Sequence, residues 1–201
     1  MEVEDVQEDQ ESQLSKKANH LKINFKTCSE KELWEYVAVH LKKKGIDTIL
    51  VGGAVVSIYS KGAYHSGDLD FVRSSMFVTT LEESMNEIGF IKHGRHYIHP
   101  ECLHLFVEFP GGPPLGIGED NKIVPDEVEV DGVIIKIFSP TDCVKDRLAS
   151  YIHFKAPEGL DQAVLVAKNQ EVNLRSIKKW CKGENALDAF NEFVKALKLE
   201  V

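Results

Sequence analysis

Two aspartates two residues apart, Asp68 and Asp70, head an apolar run in Ser66-Gly67-Asp68-Leu69-Asp70-Phe71-Val72. On a strand, residues i and i+2 project to one face, so the two carboxylates share a side and Leu69 and Phe71 take the other. Adjacent like charges repel unless a cation sits between them, and a hard divalent metal suits oxygen ligands best. The chemistry expected is metal-assisted phosphoryl or nucleotidyl transfer. A surface strand with two solvated acids is the plain alternative. The apolar neighbours argue for a central strand, where unpaired acids are costly.

Such chemistry needs a third acid and a grip on phosphate. Glu108 is the candidate acid, lying within the apolar pattern Leu103-His104-Leu105-Phe106-Val107-Glu108-Phe109 and just before a glycine- and proline-rich loop, Pro110 to Gly118. Its plain reading is an acid at an exposed strand end. The phosphate grip is Gly52-Gly53, between an apolar run ending at Val51 and an apolar helical segment. Glycines there let backbone N–H groups approach a triphosphate, and a helix N-terminus adds partial positive charge. A glycine pair alone is a weak signal and equally a tight turn. Neither Gly-Lys-Ser/Thr nor G-x-G-x-x-G follows, which excludes a P-loop and a dinucleotide fingerprint.

His93, His96, His99 and His104 surround Cys102 in the sequence. Their spacing matches no finger-like zinc pattern, so exposed or core-packed histidines are the plainer reading. Cys28, Cys102, Cys143 and Cys181 are widely spaced without a C-x-x-C, and read as small buried hydrophobes in a reduced, cytosolic setting.

The elements that must position these groups follow from periodicity and caps. Ser29 with Glu32 three residues on predicts a capping box and a helix carrying Leu33, Tyr36, Val37 and Leu41, stopped at Gly45. Lys42, Lys43 and Lys44 read as its solvated last turn. Strands are expected at 47–51, 69–73, 90–93, 97–98, 103–109 and 133–138. Helices are expected at 53–60 and 77–88. Ser139-Pro140-Thr141-Asp142 opens a helical half, with a break expected at Pro157 and Gly159 and further helices at 160–168, 174–182 and 186–199. This is an α+β chain: a flexible acidic tail at 1–28, a mixed sheet with helices at 29–138, and a helical segment at 139–201 that closes a cleft.

Val51-Gly52-Gly53, then Asp68-Leu69-Asp70, then Glu108 on a later strand resemble the nucleotidyltransferase superfamily that shares the DNA polymerase β fold. Within it the chain looks most like the small bacterial AbiEii-type toxins and antibiotic nucleotidyltransferases. Those toxins carry a helical segment entered through Thr/Ser-Pro-x-Asp, similar to Ser139-Pro140-Thr141-Asp142 with Lys145-Asp146-Arg147-Leu148, and to the later Asp161. The likeness covers roughly residues 45 to 170. It implies Mg²⁺ held by Asp68, Asp70 and Glu108, phosphates cradled by Gly52 and Gly53, and a hydroxyl from Ser66 to the terminal phosphate. Lys145 and Arg147 are second candidates for the phosphates, with solvated helix positions as their plain reading. The implied substrates are a nucleoside triphosphate and a hydroxyl acceptor: RNA, protein or a small molecule. An antitoxin or a second copy of the chain are the implied partners.

Charge adds one limit. The net charge is −8, but six acids lie in the first twelve residues, which leaves 26 acids against 24 bases in the rest. The body is close to neutral and offers no bulk electrostatic argument for nucleic acid. No apolar run reaches a membrane span, and the N-terminus lacks the pattern of a signal peptide. Two other functions remain: a catalytically silent nucleotide- or protein-binding module with the same fold, and a metal-dependent phosphohydrolase, for which no His-Asp pairs can be assembled.

Overall fold

Local chemistry sets the first helix. The Glu32 carboxylate accepts the Ser29 N–H at 2.8 Å and the Ser29 hydroxyl accepts the Glu32 N–H, closing the capping box. The computed structural model describes residues 22–74, 80–111, 116–118, 120 and 122–199. Helix α1 (Glu30–Lys43) buries Leu33, Trp34, Val37 and Leu41 along one face. At its C-terminal end, Lys42 pairs with Asp47 and Lys44 with Glu87, each at 2.6 Å, so two of the three lysines finish the helix in ion pairs.

The chain then enters a mixed sheet. Strand β1 (Thr48–Val51) is buried throughout. It lies antiparallel to β2 (Asp68–Arg73) and parallel to β7 (Val133–Ile137). Strand β5 (Phe106–Glu108) adds to the far side of β2 in parallel, and the hairpin of β3 (Ile91–His93) and β4 (His96–Ile98) extends that edge. Strand β6 (Asp126–Val130) closes the other edge, giving the order β3-β4-β5-β2-β1-β7-β6. Asp131 and Gly132 both take positive φ in the β6–β7 turn, the geometry that matches strand twist.

Helix α2 (Gly53–Tyr59) joins β1 to β2, and α3 (Leu81–Glu87) precedes β3. The helical half is α4 (Pro140–Phe154), α5 (Pro157–Asn169), α6 (Leu174–Gly183) and α7 (Leu187–Leu199). Helices α4 and α5 dock on α2, which places the helical half against the β1–α2–β2 corner. Tyr59 donates to the Phe138 carbonyl at 2.6 Å, and Gln170 donates to the Tyr59 carbonyl at 3.0 Å, tying that corner to both halves.

Several expectations change. The strand expected over 103–109 shrinks to Phe106–Glu108, because Leu103 and His104 continue the bend that follows the His99–Cys102 turn, with His104 Nε2 held at the Cys28 carbonyl. Strand β6 is unforeseen; its acids alternate with half-buried valines at a sheet edge. The expected break falls at Lys155–Ala156, where α4 ends, and Pro157 begins α5, in the first turn where no N–H is needed. Gly159 lies inside α5. A β-carbon there would stand 2.5 Å from the Arg147 carbonyl oxygen, so this glycine permits the close crossing of α4 and α5. The acidic tail lies outside the described residues up to 21. Its last part packs on the core: Phe25 stacks on His99 at 3.6 Å between ring centres, and Cys28 is buried. Phe77 and residues 112–115 of the glycine–proline loop also lie outside the described residues.

Candidate active site

Strand β2 alternates as its residue types require. Leu69 and Phe71 are fully buried, and Phe71 stacks on Phe109 at 5.6 Å. Asp68 and Asp70 are half-buried on the opposite face.

The glycine pair packs directly on that acidic face. Val51 lies opposite Asp70 in the β1–β2 ladder, which brings Gly52 over the Asp70 side chain. A β-carbon on Gly52 would stand 2.5 Å from Asp70 Oδ2, and its φ of +74° is also one that favours glycine. A β-carbon on Gly53 would stand 2.7 Å from Ser66 Oγ and 3.4 Å from the Tyr64 hydroxyl. Ser66 Oγ in turn donates to Asp68 Oδ1 at 2.7 Å. Two motifs separated in sequence are one surface in space.

Glu108 joins them through the parallel ladder, in which Asp68 lies opposite Phe106 and Asp70 opposite Glu108. The acid is buried rather than at an exposed strand end. It is already engaged, since its Oε1 lies 2.6 Å from His96 Nδ1, without hydrogen-bond alignment, and 3.4 Å from Arg95 Nε.

Arg147 and Lys145 part company. Residues two apart on a helix point about 200° from each other, so one α4 face cannot carry both. Arg147 is close enough to Asp70 to favour its charged form. Its guanidinium pairs with Asp146 and donates to Gln162 Oε1 at 3.2 Å. Lys145 instead donates to Asp142 Oδ1 at 3.0 Å and Asp120 Oδ2 at 3.1 Å, in a different, buried ion-pair group.

The electrostatics are those of crowded acids. Burial pushes the Asp70 carboxyl up to about 7, and the charges of Asp68 and Glu108 push in the same direction. The oxygens of the three acids do not all close to within 4.8 Å of one another. Hard carboxylate donors gathered at one sheet face with excess negative charge fit Mg²⁺.

Sequence reasoning did not single out Glu30, Tyr64 or Gln162; it weighed His96 only among the four histidines around Cys102 and gave Asp146 no role of its own. Glu30 is buried and accepts the Ser66 N–H at 3.0 Å, which fixes the turn leading into β2. Burial alone would raise its carboxyl, but hydrogen bonds from the backbone, Ser57, Ser66 and His65 hold it below the usual range. Its only sequence signal is a first-turn acid beside a cap. A cavity of ≈ 360 Å³ adjoins the group, sharing Tyr64 and Gln162 with it and lined further by Asp161 and Leu165. The four histidines do not form one group. His96 faces Glu108, His99 stacks under Phe25, and His93 is exposed on β3.

No protein-family model matches the sequence, and no curated protein matches it. Solved structures do. An antigenic nucleotidyltransferase-like protein from Paracoccidioides brasiliensis aligns with a TM-score of 0.51 and 15% identity, over 69% of this chain and 74% of that one. This is a nucleotidyltransferase-type fold. The antibiotic-resistance factor ANT(2'')-Ia aligns over 85% of this chain and 95% of its own, at 11% identity and a TM-score of 0.47. In the nucleotidyltransferase-type fold of this chain, β2, β5 and the β1–α2 turn are the elements that gather the acids and glycines. No helix among the described residues is long and apolar enough to cross a membrane.

Proposed function

We propose that this chain is a Mg²⁺-dependent nucleotidyltransferase that moves a nucleoside monophosphate from a nucleoside triphosphate to a hydroxyl acceptor. The observation that carries the reading is the position of Asp70, between Gly52 on one side and Glu108 on the other. A phosphate-accepting turn and a carboxylate cluster thereby share one face.

Asp68, Asp70 and Glu108 would hold Mg²⁺, which when bound supplies charge neutralisation for the phosphates and activation of the attacking hydroxyl. The backbone N–H groups of Gly52 and Gly53 bind the β- and γ-phosphates, because nothing beyond Cα blocks their approach. Ser66 orients Asp68 through its 2.7 Å hydrogen bond and lies next to Gly53, within the phosphate end of the cleft. Arg147 balances the acids from α4, while Lys145 supports that wall through Asp120 and Asp142. The acceptor oxygen bonds to the α-phosphorus, the bond to the bridging oxygen breaks, pyrophosphate leaves, and the hydroxyl proton passes to Glu108. Residues 29–138 act as the core in this reading, and 139–201 as the segment that closes the cleft. Four free, buried cysteines suit a reducing, cytosolic setting.

The engagement of Glu108 by His96 and Arg95 favours one second reading, a nucleotide-binding module that performs no transfer. Incubation of the full chain with α-labelled nucleoside triphosphates, Mg²⁺ and cell extract separates the two. Label on RNA, protein or a small molecule supports transfer and names the acceptor, including a toxin-like one. Nucleotide binding without label transfer supports the silent module. Copurifying protein identifies an antitoxin or a second copy as partner.

A further inference from the structure

Away from the carboxylates, three side chains with soft or imidazole donors converge where the chain before α1 meets the β4–β5 connection. Cys28 and Cys102 are buried there with their sulfurs 3.9 Å apart, although 74 residues separate them in sequence. His104 Nδ1 lies 3.9 Å from Cys102 Sγ, and all three donor atoms lie within 4.8 Å of one another. Among the described residues this is the one group of three potential ligands that closes so far.

The spacing is that of a coordination polyhedron. Tetrahedral zinc with Zn–S near 2.3 Å and Zn–N near 2.0–2.1 Å sets its ligand atoms roughly 3.6–3.8 Å apart. The two edges at Cys102, each 3.9 Å, exceed this by a few tenths of an ångström, and the third closes to within 4.8 Å, so small side-chain adjustments bring the three donors onto one ion. A second contact sets the tautomer. His104 Nε2 lies 2.8 Å from the Cys28 carbonyl oxygen, which can only accept, so Nε2 carries the hydrogen. Nδ1 is then the unprotonated nitrogen, turned toward the sulfurs. A ligand histidine held by a backbone carbonyl at its other nitrogen is the usual outer support of a metal site.

We infer that Cys28, Cys102 and His104 form a zinc site that fastens the chain before α1 to the β4–β5 connection. Two sulfurs and an imidazole select Zn²⁺ over the hard Mg²⁺ assigned to the carboxylates. Zn²⁺ replaces the two thiol protons, which pass to solvent, and takes the Nδ1 lone pair. His104 is exposed, so the fourth position opens to water or an external ligand. The site stiffens the ground from which β5 delivers Glu108, but it stands on its own donors and is independent of the transfer reaction.

The test uses the full-length, tag-free chain, stripped of metal under reductant and titrated with Co²⁺ and then Zn²⁺. The expected result is one thiolate-to-cobalt charge-transfer band, saturating at one equivalent and erased by one equivalent of Zn²⁺. Cys28→Ser and His104→Ala should each weaken binding at least tenfold; the exposed position of His104 lets that variant fold, as circular dichroism checks. Asp70→Asn should leave the band unchanged. Absence of the band, a band indifferent to Cys28→Ser and His104→Ala, or a Cys28–Cys102 disulfide formed under reductant in place of metal binding overturns the inference.

Discussion

Gly52 and Asp70 fit together only because Gly52 has no side chain: a β-carbon at position 52 would stand 2.5 Å from Asp70 Oδ2. The contact joins the end of β1 to the acidic face of β2 and leaves the Gly52 backbone beside a carboxylate.

Gly52→Ala therefore meets two penalties, a clash with Asp70 and a left-handed φ of +74°. The backbone strain alone costs about 1–2 kcal/mol. The expected outcome is a melting temperature lower by about 3–6 °C and at least a tenfold loss of nucleotide binding. Gly183→Ala, at the end of α6 with nothing within 4 Å, is the control and should melt at or slightly above the parent. Differential scanning calorimetry and a nucleotide titration read both.

Asp70 gives a pH dependence of defined sign. Its carboxyl is pushed up to about 7, above the unfolded value, so the folded state binds the extra proton between the two. Stability from this group is fully present below the unfolded value and is lost as pH rises through about 7. Asp70→Asn should raise stability at both pH 5 and pH 8 without metal, and by on the order of 2 kcal/mol more at pH 8 than at pH 5. Urea unfolding of both proteins at the two pH values measures it; an equal effect at both would contradict the crowding of charge at this site.

Glu30 has the opposite sign. Its hydrogen bonds outweigh the cost of burial and hold its carboxyl below the usual range. Its stabilisation is present above the unfolded value and lost as pH falls through the depressed folded one. Glu30→Ala leaves the Ser66 N–H without its acceptor and should cost about 1–3 kcal/mol at pH 7. The same denaturation experiment at neutral pH reads it.

Gly159→Ala tests the crossing of the helical half. Alanine ordinarily favours a helix over glycine by about 1 kcal/mol. Here the added carbon would stand 2.5 Å from the Arg147 carbonyl, so destabilisation of about 1–3 kcal/mol is expected instead. The displacement of Arg147 from Asp70 should also weaken nucleotide binding.

Much of this was legible where the chemistry is local. The capping pairs at Ser29 and Ser139 and the alternation of Asp68, Leu69, Asp70 and Phe71 are properties of neighbouring residues, and the fold keeps them. The pairing of β2 with β5 is not local. Glu108 could be proposed from its apolar surroundings, but its place opposite Asp70 depends on a parallel register that no short stretch encodes. Its contact with His96 arises from the next strand over and carried no signal at all. Pro157 marked a real boundary, since the helical run breaks directly before it, whereas Gly159 looked like a breaker because propensity penalises it and instead lets two helices touch. Lys145 and Arg147 looked equivalent, and helix geometry sends them to different partners. Cys28 reads as the end of a tail until the fold brings it to Cys102.

The central claim is that the face shared by Gly52, Asp68, Asp70 and Glu108 transfers a nucleoside monophosphate. Its most direct measurement is pyrophosphate release from a nucleoside triphosphate in the presence of Mg²⁺ and acceptor-containing extract, for the parent chain and for Asp70→Asn. The account predicts release matched by α-label on an acceptor in the parent, and a loss of at least a hundredfold in the variant with its fold intact. Equal release by the two proteins would contradict it.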